Sequence, residues 1–263
     1  MRSIAIMNQK GGVGKTTTAV NVSAALAATG LRVCLIDLDP QAHASLHLGI
    51  EPQPEQPSIY EVLTGQTRLA EARRQVGENL WAVGSTLDLA AAEIELAGVI
   101  GRELVLRDKL REDAQPFDYL LIDCPPSLGI LTLNALAAVD EVFIPLQPHF
   151  LALHGLSKLL ETINLVAMRL NPDLRISGVA LCMYDANTRL AGEVSQNVDE
   201  FFRSARGQAT PWANAQTFQT RIRRNVRLAE APSFGQSIFQ YSPESHGAED
   251  YRRLAEEMAA LRS

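Results

Sequence analysis

A run of lysines, glycines and threonines lies close to the amino terminus, in the segment KGGVGKTT that follows Gln9. Glycines let backbone N–H groups curl around phosphate oxygens, which a Cβ atom would obstruct. Lys15 is placed to reach the β- and γ-phosphates, and the Thr16 hydroxyl is placed to ligate Mg²⁺. The spacing therefore predicts a nucleotide-binding phosphate loop. Its other members are Lys10, Gly11, Gly12, Val13, Gly14 and Thr17.

Two later segments place carboxylates directly after apolar runs. YLLID ends at Asp123, which is positioned to hold the Mg²⁺ shell. LIDLD ends at Asp37 and Asp39, and Asp39 lies past the strand end, where its carboxylate can face the γ-phosphate and orient water. Thr16, Asp39 and Asp123 are therefore the predicted metal-binding residues, and Asp39 is also predicted to be catalytic.

Strands and helices that alternate along the chain must position these residues. Several apolar runs show no alternation, which is typical of strands buried on both faces. Strands are predicted at Ser3–Asn8, Arg32–Asp37, Leu80–Gly84, Tyr119–Asp123, Glu141–Leu146, Ile176–Tyr184 and Thr217–Ile222, and helices at Thr16–Thr29, Leu87–Gly98, Arg102–Glu112, His154–Leu170 and Ala191–Arg203. This order predicts an α/β fold with a doubly wound, mostly parallel sheet flanked by helices, of the P-loop NTPase type. We expect residues 1–263 to form one ATPase domain, without an amino-terminal helix-turn-helix.

The composition is that of a soluble globular protein, with 46% hydrophobic and 21% charged residues. No signal peptide or run of roughly 18 apolar residues is apparent, which predicts a cytoplasmic protein. Three cysteines, far apart in apolar runs, are expected to be reduced, buried thiols. The net charge of −6, taken as an average, argues against nucleic-acid binding.

The lysine at each end of the loop, together with DLDPQ and IDCPPS, resembles the deviant Walker A ATPases. Further segments resemble ParA/Soj chromosome- and plasmid-partition proteins over nearly the full length; they are LTLNALAAVDEVFIPLQ, MYD, NVRLAEAPSFG and YRRLAEEM. The amino-terminal motifs are shared with nitrogenase iron protein and MinD relatives, whereas NVRLAEAPS is more specific to Soj-like chains. The resemblance implies ATP and Mg²⁺ as cofactors, and slow hydrolysis that a ParB-like or other partner stimulates.

The resemblance also implies roles for individual residues. Lys10 is implied to be catalytic by crossing an ATP-sandwich homodimer to the phosphates of the other subunit, and Gly12 is implied to lie at that interface. Two positions depart from the family. Ala42 stands where relatives usually have glycine, and Arg223 stands where they have the proline beside the adenine. The loop from Arg223 to Asn225 is nevertheless the expected contact to the base.

Arginines are concentrated in one part of the chain. Residues 203–229 contain no Asp or Glu, although the whole chain has a net charge of −6. Arginine forks suit phosphate oxygens, so this block predicts non-specific binding of double-stranded DNA. The predicted contacts are Arg189, Arg203, Arg206, Arg221, Arg224 and Arg227, and the resemblance places Arg227 first. A solvated basic face, or contacts to the ATP base, remains the alternative.

Several functions stay open at this point. The cargo could be a chromosome or plasmid locus, with the protein on the nucleoid, or a protein assembly such as a chemoreceptor cluster or an organelle. A MinD-like membrane ATPase would need an anchor, but the carboxyl-terminal stripe Tyr251, Leu254, Met258 and Leu261 is predicted to pack in the core. A dethiobiotin-synthetase-like ligase or an iron–sulfur reductase would need features that we do not find. His43 and His47 are predicted to be polar residues of the segment after Asp39 rather than metal ligands.

Overall fold

A central sheet organises the computed structural model, which describes residues 1–53, 55–113 and 115–261. Its strands are β1 (Arg2–Ile6), β2 (Val33–Asp37), β3 (Arg73–Gly77), β4 (Leu80–Val83), β5 (Tyr119–Asp123), β6 (Glu141–Leu146), β7 (Arg175–Tyr184), β8 (Gln216–Thr217) and β9 (Ile222–Arg223). Their order is β3-β4-β2-β5-β1-β6-β7-β8, and β9 pairs with β7. Each of these pairs is parallel except β3–β4. The predicted mostly parallel sheet is confirmed.

Helices connect the strands and cover both faces of the sheet. They are α1 (Lys15–Ala28), α2 (His43–His47), α3 (Ile59–Leu63), α4 (Leu69–Ala72), α5 (Leu89–Glu95), α6 (Val105–Glu112), α7 (Ile130–Ala138), α8 (Ala152–Arg169), α9 (Arg189–Ala205), α10 (Val226–Glu230), α11 (Ile238–Tyr241) and α12 (His246–Ala260). Short 3₁₀ turns cover Leu96–Gly98, Arg102–Leu104 and Ala231–Phe234.

Strand β1 shows how the sheet is buried on both sides. Ile4 and Ile6 pack in a core that contains residues of α1 and α12. Ala5 and Met7 point the other way, into a core that contains residues of α7 and α8. Because successive side chains of a strand alternate between the faces, both positions must be apolar in a strand covered twice. This double burial explains the unbroken apolar runs of the central strands.

The carboxyl ends of three neighbouring strands lie level with one another. Ile6 at the end of β1 pairs with Asp123 at the end of β5, and Asp37 at the end of β2 pairs with the same Asp123. Ligands of open α/β sheets bind at this edge, outside the carboxyl ends of the strands. The register therefore places the loop after β1 beside the carboxylates that end β2 and β5.

The predicted strand Thr217–Ile222 is wrong, because β8 and β9 are separate two-residue strands. The carboxylate of Glu257 on α12 interrupts the run by accepting the backbone N–H of Gln219 at 2.6 Å and that of Thr220 at 3.0 Å. These N–H groups are satisfied by a side chain from a distant part of the chain, which no local pattern could indicate.

Strand β3 and helix α7 are among the elements that the sequence pattern does not predict. Strand β3 is a half-exposed edge strand, and its Arg73 forms a buried ion pair with Asp113. Helix α7 is apolar on nearly all sides and so lacks a helical stripe. By contrast, α12 is the core-packing helix that the carboxyl-terminal stripe predicts, with Tyr251, Leu254 and Met258 fully buried.

Candidate nucleotide-binding and hydrolysis site

The loop between β1 and α1 is held open by its own backbone and by one buried side chain. Asn8 donates from Nδ2 to the Pro145 carbonyl at 2.7 Å and accepts the Lys10 N–H at 3.0 Å. Gly12 and Gly14 have φ of +74° and +94°, a left-handed conformation that residues with a Cβ rarely adopt. The two glycines are therefore required by the path of the chain around the predicted phosphate position.

Helix α1 directs its free backbone N–H groups into this loop. It begins at Lys15, and its N-cap Gly14 makes no side-chain capping bond. The first N–H groups of a helix have no partner within the helix and form a positive end, which suits an anion. Thr16 and Thr17 in this first turn are only partly buried. The structure thus places the phosphate-loop residues in one cradle that opens at the helix N-terminus.

The two lysines of the loop are placed differently. The Lys15 side chain is buried and its Nζ donates to the Lys10 carbonyl at 3.1 Å. Burial lowers the pKa of Lys15, while the nearby Asp123 and Asp39 carboxylates oppose that shift. The Lys10 residue is exposed, although its carbonyl holds Lys15. Lys15 is therefore directed into its own site, and the charge of Lys10 stays at the surface.

Asp123 has the properties of a cation ligand. It is fully buried, and neither carboxylate oxygen has a hydrogen-bond partner of ordinary geometry within the described chain. Burial and the neighbouring Asp37 raise the pKa of Asp123 well above its usual value, although the Thr16 hydroxyl and Lys15 pull it down. A buried carboxylate without donors is costly unless a cation neutralises it. Thr16 and Asp123 thus fit Mg²⁺, a hard cation that prefers oxygen ligands.

Asp37 is a functional residue to which sequence reasoning assigns no role. Its Oδ2 accepts the Ser45 N–H at 2.8 Å and the Ser45 hydroxyl at 2.7 Å, and the Ser45 Oγ in turn accepts the Ser85 N–H at 2.8 Å. Burial raises the pKa of the Asp37 carboxyl to about 6, while the bonds from Ser45 oppose the rise. Asp37 thereby connects α2 and the residues after β4 to the strand ends that carry Asp37 and Asp123. The only available signal was its position at a strand end.

Asp39 begins the segment that leads from this edge to α2. Its N–H donates to Asp37 Oδ1 at 3.2 Å, and its Oδ1 accepts the Gln41 N–H at 3.0 Å. Ala42, which caps α2, has φ of +53°. Alanine in this left-handed conformation costs about 1–2 kcal/mol, which glycine avoids. Ala42, which stands where relatives usually have glycine, therefore introduces backbone strain at the start of α2.

The structure buries His47, a residue of the segment after Asp39. His47 is 1% exposed, and burial lowers its pKa to about 4. It lies in α2, and the nearby backbone of Gln236 opposes part of this pKa shift. Among residues 1–53, 55–113 and 115–261, no group of three or more His, Cys, Asp or Glu side chains could hold a metal ion. That His47 binds no metal stays a prediction.

A cavity of about 500 Å³ lies beside the first turn of α1. Thr17 of α1 forms one wall, Met183 at the end of β7 another, and the segment from Ile222 to Ala229 a third. Arg223 and Asn225, the predicted base contacts, both line it, but their side chains are already engaged. Arg223 is bonded to carboxylates on α12, and the Asn225 side chain caps α10 by accepting the Arg227 N–H at 2.8 Å. The side chains of Arg223 and Asn225 are therefore already bonded within the protein, and the backbone of this segment forms the wall of the cavity.

The predicted DNA-binding arginines differ in how they are held. Arg227 is exposed and pairs with Glu230 at 2.8 Å, and Arg189 pairs with Glu193 at 2.8 Å. Arg221 is half-buried and donates to Ser195 Oγ at 3.1 Å and to the Phe218 carbonyl. The other members, which are exposed, are Arg203, Arg206 and Arg224. Arg221 is thus the member whose donors are used inside the protein.

The features that other functions would need can also be located. The cysteines Cys34, Cys124 and Cys182 are free and buried, as expected. Burial raises the pKa of the Cys124 thiol well above its usual value. Within residues 1–53, 55–113 and 115–261, no helix has the length and apolar character required to cross a membrane. The apolar stripe of α12 is used in the core, so it cannot serve as a surface anchor.

Comparison with known proteins agrees with this geometry. A family model described as an AAA domain matches residues 1–176. The chain is 48% identical over 258 residues to the sporulation initiation inhibitor protein Soj of Bacillus subtilis, with 98% of each chain covered. It is 46% identical over 258 residues to the chromosome partitioning protein ParA of Myxococcus xanthus, with 98% of this chain and 87% of that protein covered.

A solved structure with similar architecture contains the expected ligands. Cobyrinic acid a,c-diamide synthase from Mycobacterium smegmatis, with a bound ATP analogue and magnesium, matches with a TM-score of 0.81 and 35% identity. The match covers 97% of this chain and 93% of that one. In that protein the same fold holds an ATP analogue and magnesium. This chain has a buried lysine, a helix N-terminus and an unpartnered carboxylate together at one edge of the sheet.

Proposed function

The chain belongs to the AAA-domain family of Soj- and ParA-type partition ATPases, and on that premise we propose that ATP controls its dimerisation and its attachment to DNA. As a member it is an ATPase that uses ATP and Mg²⁺. The proposal adds that the ATP-bound homodimer binds double-stranded DNA without sequence preference. Hydrolysis, slow in the protein alone, would release the dimer and so move or segregate a cargo. In this proposal residues 1–263 form one ATPase domain.

The phosphates bind to the loop from Lys10 to Thr17. The N–H groups of Gly11, Gly12, Val13 and Gly14 and of the first turn of α1 donate to phosphate oxygens, and Lys15 reaches the β- and γ-phosphates. Thr16, Asp39 and Asp123 would hold Mg²⁺, which when bound neutralises charge on the triphosphate. The unpartnered, buried Asp123 beside Lys15 supports this arrangement.

Asp39 orients the attacking water, and Asp37 holds Asp39 in position. The support for this assignment is the hydrogen bond from the Asp39 N–H to Asp37 and the anchoring of α2 through Ser45. A carboxylate so placed can accept the proton that leaves the water. Because Asp37 is fully engaged by donors, it positions the segment and does not itself meet the water.

Lys10 completes the site of a second subunit. A triphosphate that faces a partner gains from added positive charge where charge develops during transfer. The exposure of Lys10 at the rim of the loop supports this role, since an exposed side chain can reach a second subunit. The open space around Gly12 supports placing that residue at the same interface. Each site would then be complete only in the dimer.

DNA binding rests on the exposed arginines, led by Arg227. Guanidinium groups bind phosphate oxygens through parallel hydrogen bonds, and such contacts carry no sequence information. A monomer offers few of them, so pairing two faces converts weak attraction into useful affinity. Arg221 contributes less than the others, because its donors are used internally. The absence of Asp and Glu from residues 203–229 is the observation that carries this proposal.

The partner and cargo follow from the family. We propose that a ParB-like protein stimulates hydrolysis and that the cargo is a chromosome or plasmid locus, which places the protein in the cytoplasm on the nucleoid. A protein assembly as cargo would use the same ATP and DNA cycle. The diamide synthase resembles this chain at 35% identity, below the 48% of Soj. A synthase function therefore stays secondary, and a membrane function lacks an exposed apolar stripe on α12.

The decisive experiment measures DNA affinity with ATP and with ADP over a range of salt. We expect the protein to bind unrelated duplexes with ATP but not with ADP. The affinity should fall by orders of magnitude as salt rises from about 50 to 200 mM. Arg227→Glu should weaken binding by about 10-fold or more and reduce the magnitude of the salt slope by about 2, since a symmetric dimer loses two phosphate contacts. Binding that ignores the nucleotide would contradict the proposal.

A matched variant separates DNA contact from a change in total charge. Arg111 is an exposed arginine on α6, outside the basic segment, and Arg111→Glu changes the net charge by the same amount. We expect it to keep DNA affinity within about twofold, because distant exposed charges are screened. Equal losses in the two variants would show that DNA responds only to overall charge, and would reopen the alternatives.

A further inference from the structure

The cavity beside the first turn of α1, where we place the base of ATP, is called the base-side cavity. One buried carboxylate outside it holds the wall that contains Arg223. Asp250 on α12 is 3% exposed. Its Oδ2 accepts the backbone N–H of Arg223 at 2.9 Å, and its two oxygens accept Nε of the same residue at 3.1 Å each. Nη2 of Arg223 adds a bond of 2.6 Å to Oδ1. A single carboxylate thus binds both the main chain and the guanidinium of one residue.

This attachment matters because the segment has little other support. Strand β9 is two residues long and makes only the pairs Cys182–Ile222 and Tyr184–Arg223 with β7, with an irregularity between them. Residues 224–226 follow directly and line the cavity. A short strand with so few ladder bonds is readily displaced, so the bonds to Asp250 decide where these residues lie. A proline at position 223 would have no N–H to offer Asp250.

The neighbour of Asp250 connects the same helix to the phosphate side. The Tyr251 hydroxyl lies 3.1 Å from Thr18 Oγ1, one turn into α1, and Tyr251 also lines the cavity. Helix α12 itself is fixed against α1 by buried residues that include Ala248, Leu254 and Met258. Two consecutive residues of α12 therefore attach the base-side wall and the phosphate-side helix to one rigid support.

We propose that Asp250 is a positioning residue of the nucleotide site. Through Arg223 it sets the distance between residues 224–226 and the first turn of α1, and so the affinity for the base. It touches neither the phosphates nor the reacting atoms. The inference rests on the proposed function in one respect, namely that the base of ATP occupies this cavity.

Glu249 gives an internal comparison. It also accepts Nη2 of Arg223, at 2.7 Å, but its side chain is 39% exposed and shared with Arg253. Solvent screens such a surface pair, whereas Asp250 is shielded. Glu249 does not bond to the backbone of residue 223 among the described contacts, so it cannot fix the main chain. The same guanidinium therefore has one partner that positions the wall and one that does not.

The test compares two ligands in calorimetric titrations of the full-length protein with Mg²⁺. ATP uses both sides of the site, while inorganic triphosphate uses the phosphate loop alone. For Asp250→Asn we expect ATP affinity to fall by about 5- to 20-fold, since a charge-assisted attachment is lost. Triphosphate affinity should stay within about twofold. The KM for ATP should rise by a similar factor, with kcat at saturating ATP within about twofold.

Two further variants keep the proposal falsifiable if Asp250→Asn folds poorly. Arg223→Gln leaves Asp250 bonded to the backbone N–H and should lower ATP affinity by about 3- to 5-fold, because only the guanidinium bonds are lost. Glu249→Gln should change it by less than about twofold. The double variant Arg223→Gln with Asp250→Asn should lose no more than Asp250→Asn alone, because the two groups act as one unit.

Each outcome has one meaning. Equal losses of ATP and triphosphate affinity in Asp250→Asn would show a general structural defect and overturn the inference, as would no loss of either. If the wild-type protein itself binds ATP no better than triphosphate, the base does not use the cavity, and the premise fails rather than the role of Asp250. DNA binding by the ATP-bound dimer is measured separately and does not depend on these results.

Discussion

The phosphate side and the base side of the nucleotide site are built by different means. The phosphate side consists of consecutive residues, 10–17, whose backbone N–H groups and Lys15 converge where β1 meets α1. The base side brings together the ends of β7 and β9, the start of α10, and α12, which are far apart in the chain. Its wall is held by the bonds of Asp250 to the backbone and the guanidinium of Arg223 rather than by regular secondary structure. One side is a local motif and the other is a product of packing.

This difference implies that the two sides can be disturbed independently. A change on the phosphate side should affect every triphosphate ligand, since the loop binds what all of them share. A change on the base side should affect ATP alone. Segment α2, which follows Asp39, belongs to the phosphate side, and its His47 contacts the backbone of Gln236, beyond the base-side wall. Substitutions of Lys15, Asp39 and His47 therefore test how far the two sides are independent.

The largest expected effect is that of Lys15→Ala. The variant removes a buried positive charge from the phosphate site, where each bond to a charged group contributes about 1.5–3 kcal/mol. We expect affinity for ATP and for inorganic triphosphate to fall together, by about 1,000-fold or more, in calorimetric titrations. Lys158→Ala, at an exposed lysine on α8, should bind both ligands normally. A selective loss of ATP affinity would show that the two sides are not separate.

A smaller but more specific effect is expected from Asp39→Ala. Binding of ATP and of triphosphate should persist, whereas turnover should fall by about 100- to 1,000-fold, which lies within the range for loss of a general base. Sedimentation with ATP should show a dimer that does not dissociate. A variant that stays monomeric at saturating ATP would contradict the proposed cycle. Asp173→Ala, at an exposed aspartate far along the chain, is the matched control and should turn over normally.

The smallest effect concerns stability and the contact between the two sides. His47 is neutral in the folded protein down to about pH 4, whereas its pKa in the unfolded chain is near the ordinary histidine value of 6.5. Protons therefore bind the unfolded chain first. The stability that neutral His47 provides is complete above pH 6.5 and is lost as the pH falls from 6.5 toward 4, by up to about 1.4 kcal/mol per pH unit.

Chemical denaturation of the nucleotide-free protein at several pH values measures this effect. Relative to His47→Asn, the wild-type protein should lose unfolding free energy across that window, and above pH 7 the difference between them should be constant. His154→Asn, at an exposed histidine on α8, should follow the wild-type protein at every pH. Parallel curves for wild type and His47→Asn would show that the α2 contact opens before the protein unfolds.

Much of the fold and of the phosphate side could be predicted from sequence. The apolar runs of β2, β5 and β6 indicate burial on both faces, because every second residue meets a different core. The loop from Lys10 to Thr17 is recognisable because its glycines are required by its own φ angles, which depend on neighbours in sequence. Asp123 could be placed because a strand end lies at a known edge of a parallel sheet.

Other features could not be predicted, for a physical reason that they share. The run Thr217–Ile222 has strand-like residues, but Glu257 satisfies its N–H groups from α12. His47 carries a polar side chain, yet packing against the segment of Gln236 buries it. In each case the deciding group is supplied by a distant part of the chain.

The sequence by itself determined the phosphate loop, the carboxylate-bearing strand ends and the alternation of strands and helices, since each depends on residues within one or two turns of each other. Only the tertiary structure decided that Arg223 would face Asp250 and that Asp37 would hold Ser45, because these pairs are 27 and 8 residues apart. Hydrogen bonds and ion pairs depend on distance in space. Local propensity does not encode that distance, and the packing of α12 and α2 against the sheet sets it.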